Sequence, residues 1–200
     1  MTTRVQRDFT FQAGVYYDSH FQMNIYEVNV GIDVETDSLW EQNIAMERMS
    51  FFLNEYLENS IFIKDSEKKV IDQYSTCGFK VCTLPEEPYE QIVTIMLLTK
   101  LNAITEGRFV ITDISLCSKL SSGVTYLYDY EESPGPFILP GWWSNPNASI
   151  SDTKSNKKDK IVQLFKTHSA DWSEFSLAWK EKSPKLVSDK PGILFSLDDK

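Results

Sequence analysis

The chain has 200 residues, of which 42% are hydrophobic and 24% charged. That balance supports a folded core and excludes wholesale disorder, a collagen-like fibre and a disulfide-dense miniprotein. The net charge of −9 is unevenly spread: residues 1–150 carry 10 Lys and Arg against 21 Asp and Glu, whereas residues 151–200 carry 10 against 8. Tracking a nucleic-acid backbone needs a basic surface, so nucleic acid is not the expected partner of the acidic body.

The three cysteines, Cys77, Cys82 and Cys117, are odd in number and lie in or beside apolar runs, the usage of a reducing compartment. No histidine stands near Cys77 and Cys82, so a structural zinc site lacks its other ligands. The first eight residues have no apolar core of a signal peptide. The longest strongly apolar stretch, Ile92 to Leu98, is far below membrane-spanning length. These features predict a cytoplasmic protein with no membrane partner and no cofactor.

In chain order, Phe9 to Tyr17 is aromatic and interrupted by Gly14, which reads as a short edge strand. Tyr26, Val28, Val30, Ile32 and Val34 then alternate with Glu27, Asn29, Gly31 and Asp33, a strand with one buried face. Ser38-Leu39-Trp40-Glu41 reads as a capping box. Ala45, Met49, Phe52, Leu53, Tyr56 and Leu57 follow as one stripe of an amphipathic helix over 38–58. Ser60 to Lys64 is a short strand, Asp65 to Lys69 a charged loop, and Gly78 to Leu84 another strand. Tyr89 to Glu106 is apolar on most sides and ends at Gly107, a buried second helix with a left-handed cap. Arg108 to Leu116 and Val124 to Tyr130 are further strands around the polar turn Ser118 to Gly123.

This order predicts an α+β domain over 1–132: a ferredoxin-like βαββαβ antiparallel sheet, two helices on one face and an extra hairpin strand. Residues 133–160 read as a Pro/Gly/Trp loop and polar linker, and 161–200 as an aromatic C-terminal extension packing on the core or on a partner. In that extension Ile161, Leu164, Phe165 and His168 share a helical face. Asp171 to Lys180 suits either a helix or a strand.

Four features could carry chemistry. Tyr126, Tyr128 and Tyr130 project to one side of the last strand, either as a stacking platform for bases or as a surface packed beneath the C-terminal segment. Asp33, Glu35 and Asp37 form a carboxylate run at a strand end, where hard oxygen ligands could hold Mg²⁺. In topology only, that position resembles the palm domains of polymerases and nucleotide cyclases. The resemblance implies carboxylates binding two metals for phosphoryl transfer, with Asp65 as the hairpin carboxylate. Asp18 and His20 could share a strand face, one orienting the other. Lys154, Lys157, Lys158 and Lys160 are the basic cluster, a solvated loop or a phosphate-contacting arm. No G-x-S-x-G, P-loop, dinucleotide or H-E-x-x-H motif occurs.

The leading expectation is a non-enzymatic module that binds another protein or itself. Its predicted partner-binding residues are Trp142, Trp143, Trp172, Phe175, Trp179, Tyr126 and Tyr128, because tryptophan and tyrosine are the usual interface anchors. An edge strand pairing with its counterpart is one route to a dimer. The style of the chain suggests an accessory or structural protein of a tailed phage, in host cytoplasm or virion, a suggestion resting on no motif. The alternatives are a Mg²⁺-dependent nucleotide-acting enzyme using Asp33, Glu35 and Asp37, and a nucleic-acid binder using the tyrosines and lysines.

Overall fold

Residues 3–152 and 169–179 are described by a computed structural model. Its spine is one long antiparallel hairpin, β1 (Thr3–Tyr17) with β2 (His20–Val34), paired from Thr3 opposite Val34 to Tyr17 opposite His20. The two-residue turn, Asp18 and Ser19, has φ of 49° and 61°, the left-handed pair whose twist matches that of the flanking strands. His20 Nδ1 meets the backbone carbonyl of Asp18 and not its carboxylate, because both residues sit in or beside this turn.

α1 (Leu39–Phe51) starts where Ser38 Oγ accepts from Glu41 N–H at 3.3 Å, as the capping pattern predicts. The glutamate does not reach back: its carboxylate accepts from Thr36 Oγ1 at 2.6 Å. A π-helical turn, Phe52–Tyr56, then leads to β3 (Ser60–Lys64). α2 (Lys68–Thr76) follows, starting within the expected charged loop Asp65 to Lys69 and running past it; it buries Ile71, with Val70 and Tyr74 partly buried beside it. β4 (Lys80–Leu84), α3 (Glu90–Thr105), β5 (Phe109–Ser118) and β6 (Thr125–Asp129) complete the body. α3 ends in left-handed residues Glu106 (φ 49°) and Gly107 (φ 77°).

The ferredoxin-like antiparallel sheet does not form. The six strands run β4-β3-β1-β2-β5-β6, with β1–β3 and β3–β4 parallel and the other pairs antiparallel. Two causes act together. β1 is a full-length central strand rather than a short edge, so β3 pairs beside it. α2 then carries the chain back so that β4 can lie parallel to β3.

α1 and α3 cover one face through Ala45, Met49, Val93, Met96, Leu97 and Leu101, packed on Phe9, Phe11, Val28, Val30, Ile32, Ile111 and Ile114. α2 covers part of the opposite face, where Ile71 meets Ile61, Ile63 and Val81. β3 is thus buried on both faces, and its run Ile61-Phe62-Ile63 is continuously apolar for that reason.

Beyond β6 the chain turns back as a strap. Trp142 is 1% exposed, and its Nε1 donates to Thr83 O at 2.7 Å, while Thr83 N–H donates to Ile150 O at 3.0 Å. The outer edge of β4 is therefore capped. Lys100, on α3 and 0% exposed, fastens the strap. Its Nζ lies 3.0, 2.6 and 2.7 Å from the carbonyls of Trp142, Asn145 and Asn147, and 2.9 Å from Ser149 Oγ. A buried ammonium is tolerable only with such a shell of acceptors. β7 (Ala148–Ser149) pairs with β8 (Ser169–Ala170), which brings in the C-terminal segment and its 3-10 turn, Trp172–Phe175. Phe137, Trp142, Trp143, Ile150, Trp172 and Leu177 belong to the same core as α1 and α3.

Burial pulls the Lys100 ammonium from its ordinary 10.5 down to about 7. Below that value both folded and unfolded chains hold the proton and the burial cost is complete. Above it the unfolded chain binds a proton the folded chain has released, so stability rises with pH. We predict a gain approaching about 1.4 kcal/mol per pH unit between pH 7 and 8.5 in urea unfolding, and a flatter profile for Lys100→Met. Trp142→Ala is expected to lose about 3–5 kcal/mol in the same measurement.

Candidate functional site

The aromatic residues predicted to meet a partner are mostly used within the chain. Trp142, Trp143 and Trp172 are buried, and each indole N–H is satisfied by backbone: Trp142 by Thr83 O, Trp143 by Leu139 O at 2.9 Å, Trp172 by Pro146 O. Phe175 lies against Phe51 of α1 with ring centroids 4.3 Å apart. Tyr126 and Tyr128 stand opposite Leu116 and Ile114, so they share the helix-covered face of the sheet and not the open one. Tyr128 is buried and its hydroxyl donates to Glu132 O at 3.1 Å.

Arg48 of α1 organises the C-terminal segment. Its guanidinium is buried and donates to Leu177 O (2.8 Å), Ile104 O (3.0 Å) and Glu106 Oε1 (2.8 Å). Trp179 lies over it at 3.8 Å and also faces Arg108 at 4.4 Å, while its Nε1 donates to the same Glu106 oxygen at 2.7 Å. Each guanidinium is attracted by the ring quadrupole, and the carboxylate balances their charge. Burial lowers the Arg48 pKa and the Glu106 hydrogen bond opposes it, so the group stays charged.

The carboxylate run is spread out. Asp33 is on β2 opposite Arg4, Glu35 N–H donates to Arg108 O at 2.9 Å, and Asp37 lies in the loop before α1. Among the described residues no three His, Cys, Asp or Glu side chains converge as metal ligands. Asp65 follows β3 at the other side of β1. On the open sheet face Asp113 instead pairs with Arg4 at 2.6 Å. Its carboxylate lies directly over Gly31, where a β-carbon would collide with it. Lys154, Lys157, Lys158 and Lys160 lie outside the described residues, as does the helical face Ile161 to His168.

Exposed apolar side chains stand at several places, Leu39, Phe79, Ile138 and Leu139 among them, and at β6 they flank a sheet edge. The preceding turn is held by Ser121 Oγ, which donates to Ser118 O at 2.7 Å, and by Ser122 and Gly123 at φ 53° and 85°. Val124-Thr125-Tyr126-Leu127-Tyr128 is β-branched and aromatic, which suits a strand. Tyr130 N–H donates to Thr112 O at 2.8 Å. By alternation Tyr126 and Tyr128 therefore direct their backbone groups to β5, and Thr125, Leu127 and Asp129 direct theirs outward. Among the described residues no strand pairs with this outer side. Leu127 is 76% exposed, Val124 51% and Tyr130 59%. The β6 run carries no lysine, proline or bulge; its guards are its length of five residues and the charge of Asp129 at its end. The other edge, β4, has the strap.

No protein-family model matches the chain, and no curated protein matches it. Among solved structures, the uncharacterized protein WS1659 from Wolinella succinogenes is similar over 66% of this chain and 99% of its own, at 10% identity and a TM-score of 0.47. Among the described residues no helix is long and apolar enough to cross a membrane.

Removing the buried guanidinium leaves the Leu177 and Ile104 carbonyls without that donor, while Glu106 keeps Trp179 Nε1 and its contact with water. Arg48→Met is therefore expected to cost about 2–3 kcal/mol in urea unfolding, from the two buried carbonyls left unpaired, against about 1–2 kcal/mol for Trp179→Ala, which deletes a partly buried cation–π partner.

Proposed function

We propose that the chain is a non-enzymatic protein-interaction module whose docking element is the edge of β6, with Val124, Leu127 and Tyr130 as its apolar contacts. The observation that carries this reading is the contrast between the two sheet edges. β4 is capped at Thr83, which bonds Trp142 and Ile150, whereas among the described residues no strand pairs with the outward side of Thr125 and Leu127 in β6, where Val124, Leu127 and Tyr130 are exposed. An added strand would satisfy those groups and cover those side chains at once, the mode called β-augmentation.

The tail tryptophans support the reading indirectly. Trp142, Trp143 and Trp172 anchor the strap and the C-terminal segment, so they are not free for a partner.

A photoreactive amino acid placed at position 127 in the full chain tests the proposal inside the cells that make it. A covalent protein adduct at 127, and none from exposed Lys68 on α2, is the expected result. If positions 124, 127 and 130 all fail to trap protein, the edge is not a docking element.

A further inference from the structure

We infer that the carboxyl ends of β1, β3 and β4 form a separate site for an organic ammonium group, built from Tyr17, Lys64, Glu86, Glu87 and Tyr89. It stands at the β4 side of the sheet, away from β6, and does not depend on the docking role proposed there. The topology makes the place. β3 and β4 are adjacent and parallel, yet the chain leaves them toward opposite faces. Residues 65–67 lead to α2, which packs on Ile61, Ile63 and Val81, whereas residues 85–89 lead to α3 on the other face. Loops that diverge in this way from neighbouring parallel strands leave a crevice at the carboxyl ends, where open sheets take their ligands. Asp65 N–H donates to Leu84 O at 2.7 Å and holds the two strand ends together at the base of the divergence.

Two strands and the loop after β4 bring the side chains together. The parallel register that sets Tyr16 beside Ile63 puts Tyr17 beside Lys64, and Lys64 stands opposite Leu84. By alternation Tyr17, Lys64 and Leu84 share the face covered by α3. Lys64 Nζ lies 3.4 Å from Glu86 Oε2 and 3.5 Å from Glu87 Oε1, both on the loop before α3. Tyr89, at the end of that loop and 54% exposed, meets Tyr17 with ring centroids 5.7 Å apart.

These groups suit a cation. Two carboxylates stand against one ammonium, and both contacts are longer than a good hydrogen bond, so Lys64 holds them loosely. Asp65 and Glu67 on the neighbouring loop are balanced by Lys68 and Lys69 of α2, which leaves the excess of Glu86 and Glu87 over Lys64 as the local charge. An anionic ligand is disfavoured by that excess. A tyrosine face attracts an ammonium through the ring quadrupole, and a carboxylate beside the ring adds its own attraction. Lys64 is then the cation the site takes from its own chain, and a ligand ammonium has to displace it.

The probe is choline, titrated into the isotope-labelled full chain at about 10 mM ionic strength, where charge attraction is little screened. Amide signals of Glu86, Glu87 and Tyr89 should shift and saturate. The neutral isostere, in which a tert-butyl group replaces the trimethylammonium, should leave them in place. Lys64→Met should tighten choline binding at least ~3-fold by removing the resident cation, whereas Lys69→Met, an equal change of charge on α2, should not. Glu86→Gln combined with Glu87→Gln, or Tyr89→Leu alone, should weaken binding by a similar factor while amide signals elsewhere stay unchanged. A short uncharged peptide carrying one trimethyllysine separates the two sources of such a group. Tighter binding than choline assigns the site to a protein side chain, and equal or weaker binding assigns it to a free amine. Shifts that do not saturate, an equal response to the isostere, or a Lys64→Met chain that binds choline no more tightly overturn the assignment.

Discussion

A lysine ammonium closed off from water, with oxygens on four sides, is the constraint on which the rest of this structure depends. Lys100 holds three carbonyls and one hydroxyl of the Trp142–Ser149 strap against α3. With the strap in place, Trp142 and Ile150 can bond Thr83 and close the β4 edge. The strap also presents Pro146 O to Trp172 and Ala148 to Ala170, which seats the C-terminal segment. Arg48 then fixes the far end of that segment through Leu177 O and Trp179. Two buried basic side chains, each donating to backbone carbonyls, thus add to the apolar contacts that Trp142, Trp143, Ile150, Trp172 and Leu177 make with the core.

The thiol of Cys82 shows how this interior treats charge. It sits fully buried near Lys100, and burial pushes its pKa well above the usual thiol value, so it remains neutral. A cation and an anion could in principle have paired here. The structure instead surrounds the ammonium with dipoles and leaves the thiol as a small apolar group. Asn147 also serves this interior: its carbonyl holds Lys100, and the adjoining Ala148 and Ser149 of the strap are buried.

Much of the fold was legible in the sequence where one side of an element is apolar and the other polar. The alternation from Tyr26 to Val34, the Ser38 cap and the apolar run after Tyr89 all correspond to elements that form. β1 was read as short because Thr3 to Asp8 is mostly polar; that half is a strand whose residues are largely exposed, held by pairing with β2. α2 was missed because its stripe is only Val70, Ile71 and Tyr74 within nine otherwise polar residues, too short to stand out beside the charged residues before it. The parallel pairing of β1, β3 and β4 is a long-range choice with no local signature. Tryptophans in a Pro/Gly-rich stretch suggested an interface, yet large aromatics are equally good anchors for a loop on its own core, and that is their use here. The edge at β6 had a readable signal, a β-prone run from Val124 to Tyr130 without lysine or proline. Its position at the end of the sheet did not.

The account therefore turns on whether the outer side of β6 is covered when the chain is at working concentration. Hydrogen exchange of single amides measures this directly, because Leu127 N–H points outward while Tyr128 N–H points to β5. The account predicts that Leu127 protection rises on adding an extract of the cells that make the chain, while Tyr128 protection, set within one chain, does not change. A Leu127 amide that exchanges at the rate of an unstructured peptide with and without the extract would contradict it.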